Sequence, residues 1–142
     1  MSDNSLFELT NNDFNNDTTL RKYKKSIVII LFYMTGCHWC DICKPDFIKA
    51  AAIAIGSMSN VRFSMIDISK PDGQALKEKL NSVRNPKFIV KGVPKIVGYK
   101  NGEFYAVYAK GGPDFRKTND FLAFAQGIKK DVPVEVDVAS AS

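Results

Sequence analysis

The sequence predicts an α/β fold with a central mixed β-sheet and helices on both of its faces. Short apolar runs typical of strands alternate with segments that have the apolar spacing of helices. The order along the chain is β-α-β-α, which favours parallel pairing of the first two strands. Asn101-Gly102 then lies between two further apolar runs, and this pair is a strong signal for a β-hairpin. The hairpin adds antiparallel strands to the sheet.

The beginning of the chain contains one clear strand signal and weaker signals before it. Residues 26–34 are β-branched and aromatic without polar alternation, as in a strand buried on both faces. Residues 6–9 predict a short first strand. Thr10, with Asp13 three positions later, predicts the start of a helix that runs to about Lys25, although its many asparagines weaken it.

The later elements have local signals of their own. Residues 41–54 have the apolar spacing and alanine content of a helix, and Pro71 suits the first turn of another helix. Beyond residue 54 the predicted elements are a strand at 61–67, a helix at 71–83, hairpin strands at 95–99 and 103–108, and a helix at 114–130.

Length and composition predict one domain over residues 1–130 and a tail over residues 131–142. A chain of 142 residues buries enough surface to fold without disulfides. The tail alternates valine with other residues, so it is either an edge strand or, as we expect, a frayed terminus. The net charge of +5 is spread along the chain rather than massed among aromatic residues, which disfavours nucleic-acid binding. No signal-peptide pattern and no membrane-length apolar run is present, so we expect a cytoplasmic protein.

One stretch indicates chemistry, Cys37-His38-Trp39-Cys40, at the point where a strand ends and a helix begins. Free backbone N–H groups and the positive end of the macrodipole at a helix N-terminus stabilise a thiolate, the species that attacks disulfides. Cys40 follows at i+3, on the same face, and can bridge to Cys37 if the first turn relaxes slightly. The pair can therefore cycle between dithiol and disulfide.

The residues alone leave alternatives open for the cysteines. Cys37 and Cys40 are, on a second interpretation, structural cysteines that happen to share this spacing. Cys43 extends the spacing to CxxCxxC, part of a ferredoxin-like run that binds iron–sulfur clusters. The chain has no fourth cysteine and one histidine, so a mononuclear site would be incomplete, and we expect neither metal nor cofactor. Six helical residues place Cys43 about 9 Å from Cys37, so a packed, inert thiol is expected.

The order of these motifs resembles the thioredoxin family, most closely a single catalytic domain of the protein disulfide isomerase type. Residues 32–40, Phe-Tyr-Met-Thr-Gly-Cys-His-Trp-Cys, followed by Pro-Asp-Phe at 45–47, keep the register of that family's strand, CxxC and helix. Gly-Val-Pro at 92–94 and Tyr-Lys-Asn-Gly-Glu at 99–103 are similar to its proline loop and hairpin. The resemblance covers roughly residues 6–126.

The resemblance implies thiol-disulfide exchange on protein substrates, with Cys37 as the attacking thiolate and Cys40 as the resolving thiol. It also implies that Val93-Pro94 is a cis peptide facing the cysteines, so that the backbone of Val93 pairs with an extended substrate segment. The implied partners are proteins with disulfides or thiols and a reductase or oxidase, without nucleic acid or membrane. Large DNA viruses also encode small domains of this kind, which adds the virion as an expected location for a virus-encoded chain.

The chain departs from the family pattern beside the cysteines. Family members usually have Trp immediately before the first cysteine and a buried acid six residues before it, whereas this chain has Gly36 and Leu31. The family's buried lysine aligns with Phe63. Loss of the acid removes a proton acceptor for Cys40, which predicts slower release of mixed disulfides.

Three residues are expected to modulate the site: His38 and Trp39 between the cysteines, and Gly36 immediately before them. As an imidazolium, His38 would further favour the thiolate of Cys37, and its alternative role is that of a solvent-facing side chain. Trp39 either contacts substrate in place of the missing Trp or covers the motif. The departures also leave a second function open, that of a non-catalytic adaptor or structural component, including a virion-associated one.

Overall fold

The structure, a computed structural model, describes residues 5–83 and 88–130. The sheet in this part of the chain contains β1 (Ile27–Tyr33), β2 (Val61–Asp67), β3 (Lys95–Lys100) and β4 (Glu103–Tyr108). Their order is β2-β1-β3-β4, with β1 and β2 parallel and the other pairs antiparallel. The predicted α/β fold with a mixed sheet is confirmed. β1 lies between β2 and β3, and its residues are buried on both faces of the sheet.

Helices cover both faces of the sheet, as predicted. They are α1 (His38–Ser57), α2 (Pro71–Asn81) and α3 (Thr118–Lys129). Buried residues of α1 and α3 form one cluster with alternate residues of β1, and buried residues of α2 form a second cluster with the other residues of that strand. We call the first side of the sheet the α1 face and the second the α2 face.

Aromatic rings anchor both faces. On the α1 face the Phe47 ring packs edge-to-face against Phe63 at 5.1 Å and Phe121 at 5.3 Å between centroids. On the α2 face the Tyr99 ring packs against Phe14 at 5.8 Å between centroids, and its hydroxyl donates to the carbonyl of Thr18 at 2.7 Å. Burying such large side chains contributes about 1.5–3 kcal/mol each, which makes them the main attachment of the helices to the sheet.

The predicted helix from Thr10 to Lys25 is wrong. The capping signal at Thr10 produces one turn of 3-10 helix, Asn11–Asp13, in which the Asp13 carboxylate accepts from the Thr10 backbone N–H at 2.7 Å. Beyond it, Asp17 accepts from the Thr19 backbone N–H at 3.1 Å, and Thr18 and Tyr23 have positive φ angles. Short polar side chains that bond to the nearby backbone compete with the helix, and here they win.

Other predicted elements differ at their ends. The predicted strand at 6–9 is reduced to one bridge, between Leu6 and Phe63. The closing helix, predicted from residue 114, starts at Thr118 after a separate 3-10 turn at Pro113–Phe115. The predicted tail at 131–142 lies outside the described residues. Within those residues, no helix combines the length and the apolar character that crossing a bilayer requires.

A cross-helix contact determines where α3 begins. The Asp46 carboxylate, on α1, accepts from both the backbone N–H and the hydroxyl of Thr118, at 3.0 and 2.7 Å. The first N–H groups of a helix have no partner within the helix, so an acceptor from another element satisfies one of them and complements the dipole. The Asp46–Thr118 pair thereby fastens α3 to the helix that carries the cysteines.

Asp46→Ala is expected to lower the free energy of unfolding by about 1–2 kcal/mol, as for loss of a helix cap. The matched control is Asp41→Ala, which removes an exposed carboxylate that pairs with Lys44 on the same helix and should cost less than about 0.5 kcal/mol. Urea unfolding of both variants measures the difference. Equal effects would show that the contact with Thr118 contributes nothing beyond surface charge.

Candidate active site

A tight turn joins β1 to α1 and carries the first cysteine. The backbone N–H of Cys37 donates to the carbonyl of Met34 at 3.2 Å, which closes a four-residue turn with Gly36 in third place. Gly36 has a φ of +83°, and its missing Cβ would meet no atom within 4 Å. Space therefore does not exclude a side chain at residue 36, but the backbone conformation does disfavour one, since L-residues rarely adopt it. Gly36 in place of the family's Trp is a backbone adaptation of this turn.

Cys37 caps the N-terminus of α1, in agreement with the prediction that CxxC opens the helix. Its Sγ accepts a hydrogen bond from the backbone N–H of Cys40 at 3.2 Å. The two cysteines form a disulfide with a Cα–Cα distance of 5.2 Å. Cys37 is partly exposed, whereas Cys40 is 0% exposed. Cys37 is therefore accessible from solvent, whereas Cys40 is not.

A hydrogen-bonded cluster holds the turn from the side of β2. Asp67 ends β2 and accepts from the hydroxyl of Thr35 at 2.6 Å, from the hydroxyl of Ser69 at 2.5 Å and from the backbone N–H of Ser69 at 2.9 Å. Partial burial alone would raise the pKa of Asp67, but the bonds from Ser69 and Thr35 outweigh it and hold the pKa below its ordinary value. An ionised Asp67 thus ties the residue two before Cys37 to the neighbouring strand end.

The surroundings of the disulfide beneath the surface are apolar. Leu31 and Phe63, which stand where the family has its buried acid and lysine, are 0% and 1% exposed and belong to the core of the α1 face. Cys43 is a buried free cysteine in the same cluster, and its thiol donates to the carbonyl of Cys40 at 3.5 Å. Burial raises the pKa of the Cys43 thiol, and the Arg116 guanidinium opposes only part of that rise. Cys43 is therefore held as a neutral thiol.

The residues between the cysteines lie on the surface. His38 and Trp39 are both exposed, and their rings pack edge-to-face at 4.9 Å between centroids. Trp39 is 49% exposed, which fits a contact surface better than a cover for the motif. Beside them, the Lys44 ammonium lies 4.1 Å from the centroid of the Tyr33 ring, a cation–π contact at the end of β1.

Val93 and Pro94 reach the same edge of the sheet as the cysteines. Lys95, the first residue of β3, pairs with Phe32 near the end of antiparallel β1, so the preceding Val93 and Pro94 continue alongside the strand end that leads to Cys37. The Val93-Pro94 peptide bond is cis. Asn81, at the end of α2, exchanges two hydrogen bonds with the Val90 backbone, at 2.8 and 3.3 Å, and so holds the chain that leads to the proline.

Three features of the site were not predicted from the sequence. They are the Thr35–Asp67–Ser69 cluster, the Asp46–Thr118 contact and an open cavity lined by Val93, Pro94 and Lys95. A signal for the first exists, since Thr35 lies two residues after β1 and Asp67 ends β2, and parallel strands bring these ends together. The Asp46–Thr118 contact has no such signal, because it joins residues 72 positions apart, and the cavity depends on how the chain before β3 folds. Within residues 5–83 and 88–130, no cluster of three or more His, Cys, Asp or Glu side chains is arranged to hold a metal ion.

Comparison with known proteins identifies the fold. No protein-family model matches the sequence. Among solved structures, the Trx4 domain of ERdj5 superimposes with a TM-score of 0.62 at 18% identity, covering 90% of this chain and 98% of that domain. The first two thioredoxin domains of Saccharomyces cerevisiae Eps1p give a TM-score of 0.64 at 19% identity, covering 82% of this chain and 40% of that one. Spinach chloroplast thioredoxin F gives 0.54 at 17% identity, with 75% and 80% covered.

These similarities show that the chain has the thioredoxin fold. The resemblance inferred from the CxxC, the proline loop and the hairpin is therefore confirmed as a thioredoxin-like domain. The chain spans only part of some of the structures it matches, such as 27% of zinc-bound human ERp44. At these identities the similarity concerns the fold, and the chemistry has to be argued from the residues of this chain.

Asp67→Asn is expected to destabilise the protein at neutral pH and to have a smaller effect in acid. The pKa of Asp67 in the folded protein lies below its ordinary value, so the folded protein binds this proton less readily than the unfolded chain. The ionised Asp67 carboxylate therefore stabilises the folded protein fully above the ordinary Asp pKa of about 3.9. This stabilisation is lost as the pH falls through the lower pKa of the folded state. Urea unfolding of wild type and variant across this range measures it.

The control for this series is Asp41→Asn, which removes an exposed charge on α1 that pairs with Lys44. The wild-type advantage over Asp67→Asn should shrink on acidification, whereas the small effect of Asp41→Asn should change little. If wild type remains more stable than Asp67→Asn by the same free energy of unfolding down to about pH 2, the ionised carboxylate has no such role.

Proposed function

We propose that this protein is a thiol-disulfide oxidoreductase that acts on protein disulfides through Cys37 and Cys40. The observation that carries the proposal is the Cys37–Cys40 disulfide at the N-terminus of α1, with one sulfur accessible and the other buried. The helix N-terminus and the Cys40 N–H that points at the Cys37 Sγ favour a thiolate once the disulfide is reduced. Reduced Cys37 is thus the nucleophile and Cys40 the resolving group.

The reaction consists of two exchanges. The Cys37 thiolate attacks one sulfur of a substrate disulfide, so that a mixed disulfide forms and the other substrate sulfur leaves as a thiolate. Cys40 loses its proton and attacks the Cys37 sulfur, which closes the intramolecular disulfide and releases the second substrate thiol. Two electrons pass from the protein to the substrate, and a dithiol donor restores the reduced pair. The reverse sequence oxidises a substrate dithiol.

The direction of net transfer depends on the reduction potential of the pair against that of its surroundings. A potential near roughly −270 mV belongs to a reductant and one near about −180 mV to an isomerase or oxidant. We propose a reductase or an oxidase as the partner that supplies or removes the electrons. Val93, at the sheet edge beside the cysteines, is proposed to pair through its backbone with an extended segment of the substrate.

A non-catalytic adaptor is the second candidate, and Leu31 is the observation that favours it. Leu31 is 0% exposed among apolar residues, so this chain has no carboxylate at the position where the resemblance implies a buried acid that would accept the proton of Cys40. Without an acceptor for its proton, Cys40 resolves mixed disulfides slowly. A domain in which that step is slow enough would bind partners through the same surface without turnover.

Insulin reduction with dithiothreitol as electron donor tests the enzyme against the adaptor. Wild type should accelerate insulin precipitation, and Cys37→Ala should lower the rate by roughly 10³-fold or more, to the level of the uncatalysed reaction, because the attacking sulfur is removed. Cys40→Ala should accumulate a covalent mixed disulfide with insulin, detectable by non-reducing electrophoresis, since the first exchange proceeds and the second cannot.

Cys43→Ala is the matched control, because it also removes a thiol from α1. Cys43 is buried and neutral, so this variant should retain the wild-type rate within a few-fold. Turnover by wild type with loss in Cys37→Ala would refute the adaptor. Absence of turnover and of any reversible Cys37–Cys40 disulfide in glutathione buffers would refute the enzyme.

Leu31→Asp is expected to speed the resolution of mixed disulfides because it restores a proton acceptor beneath Cys40. Leu31→Asn is the matched control, as its amide has similar size and cannot take the proton. Both variants place a polar group in the core and should lower stability by about 1–3 kcal/mol. Stopped-flow measurement of the second exchange from a preformed mixed disulfide isolates the effect. Equal rates in Leu31→Asp and wild type would refute the idea that the missing acid limits this step.

A further inference from the structure

An open cavity of about 510 Å³ adjoins Val93 and Pro94. We call it the Lys91–Lys95 cavity, after the two cations that line it. Its remaining described lining is apolar or glycine, including Ile89 and Val107, and none of the described residues that line it is acidic. Its volume is that of a site for a small ligand or for one or two side chains of a peptide.

The cavity lies on the α2 face of the sheet, opposite the helix that carries the cysteines. Ile96 belongs to the core of the α1 face, and Val97 to that of the α2 face. Side chains alternate along a strand, so Lys95, next to Ile96, lies on the same face as Val97. Val93 packs against the α2-face core, and Val107 is part of it.

Lys95 is held in place and partly removed from water. Its ammonium donates to the carbonyl of Ile89 at 2.7 Å, which orients the side chain along the cavity wall. Burial lowers the pKa of Lys95, because the charged form loses hydration. Lys91, exposed at the rim, adds a second positive charge to the same opening.

A substrate strand that pairs with the Val93 backbone would present its side chains alternately to the two faces. The reacting cysteine must point to the α1 face, where Cys37 lies. The residues on either side of that cysteine then point to the α2 face, where the Lys91–Lys95 cavity opens. This alternation links the chemistry of the cavity to the sequence of the substrate.

We propose that the Lys91–Lys95 cavity binds an acidic side chain adjacent to the reacting cysteine, so that the protein prefers substrates with Asp or Glu at that position. The proposal rests on the proposed exchange reaction and specifies its substrate class. A carboxylate fits the two lysines and the apolar walls, which lower the local dielectric and strengthen the attraction. A lysine at the same substrate position is repelled.

The test uses the reduced protein and three peptides that carry one cysteine in a mixed disulfide with uncharged 2-mercaptoethanol. The cysteine is flanked on both sides by Glu, Gln or Lys, so the Glu and Gln peptides differ in charge but hardly in size. Each kcat/KM is divided by the rate with dithiothreitol alone, which removes the effect of the flanking charge on the peptide's own disulfide. The Glu peptide should exceed the Gln peptide by about 5–10-fold at low salt, and the Lys peptide should fall below both.

Variants assign the preference to the cavity. Lys95→Met and Lys91→Met should each move the Glu/Gln ratio towards 1 while leaving the rate with uncharged hydroxyethyl disulfide unchanged. Lys25→Met removes an equal charge just before β1, at the end of that strand remote from Cys37, and should leave the ratio as in wild type. Since Lys91 is exposed, Lys91→Met keeps the test decisive even if Lys95→Met fails to fold.

The possible failures are distinguishable. A ratio near 1 in wild type, or an equal ratio in wild type, Lys91→Met and Lys95→Met, overturns the acidic preference while exchange itself stands. If Lys25→Met lowers the Glu/Gln ratio as much as the cavity variants do, the preference comes from the net charge of the protein. That result would also overturn the proposal that the Lys91–Lys95 cavity binds the acidic side chain. Failure of reduced protein to cleave both hydroxyethyl disulfide and the Gln peptide would overturn the exchange reaction on which the proposal rests.

Discussion

The position of the α1 N-terminus at the end of β1 is the constraint on which the rest of the site depends. A turn closed by the Cys37 N–H and the Met34 carbonyl places a cysteine where the unpaired N–H groups of the helix converge. Gly36 adopts the left-handed conformation that this turn needs. Asp67 fastens the turn to the neighbouring strand through Thr35. Backbone geometry and one carboxylate thus place the reactive sulfur.

The two faces of the sheet provide different surroundings at the site. On the α1 face, Cys43 is buried among apolar side chains, and Cys40 on the same helix is 0% exposed. On the α2 face, a cavity lined by two lysines opens beside the proline loop. Pro94 lies at the junction, where β3 begins next to the end of β1. The helix that carries the disulfide and the cavity beside the proline loop therefore lie on opposite faces of the sheet.

Two departures from the family pattern, Leu31 and Phe63, occur together in the core. Leu31 on β1 and Phe63 on β2 stand where the resemblance implies a buried acid and a buried lysine, and both belong to the apolar core of the α1 face. Replacing both members of a buried ion pair by apolar residues need not destabilise a fold. The core is intact in their presence, with Phe63 packed against Phe47. We propose that their consequence falls on proton transfer at Cys40 rather than on folding.

How much of the structure was predictable depended on the range of the interactions that produce it. Strands and the CxxC helix were predicted because their signals lie within a few residues: apolar runs, turn pairs and the start of a helix. Thr10 with Asp13 is also a local signal, yet it produced one turn instead of a helix to Lys25. There, the Asp13 and Asp17 carboxylates accept hydrogen bonds from nearby backbone N–H groups. Burial of Phe14 and Leu20 against the α2 face further stabilises an irregular loop.

By itself, the sequence determined the order of the elements, the hairpin, and the placement of two cysteines at the start of a helix, since all of these follow from spacing along the chain. Only the tertiary structure decided that Asp67 holds the turn before Cys37, that Asp46 caps α3 and that Lys95 lines a cavity beside the proline loop. The first two contacts join residues that are far apart in sequence, and the cavity depends on how the chain before β3 folds beside Val107. Their geometry is set by strand pairing and helix packing, which a local pattern does not encode.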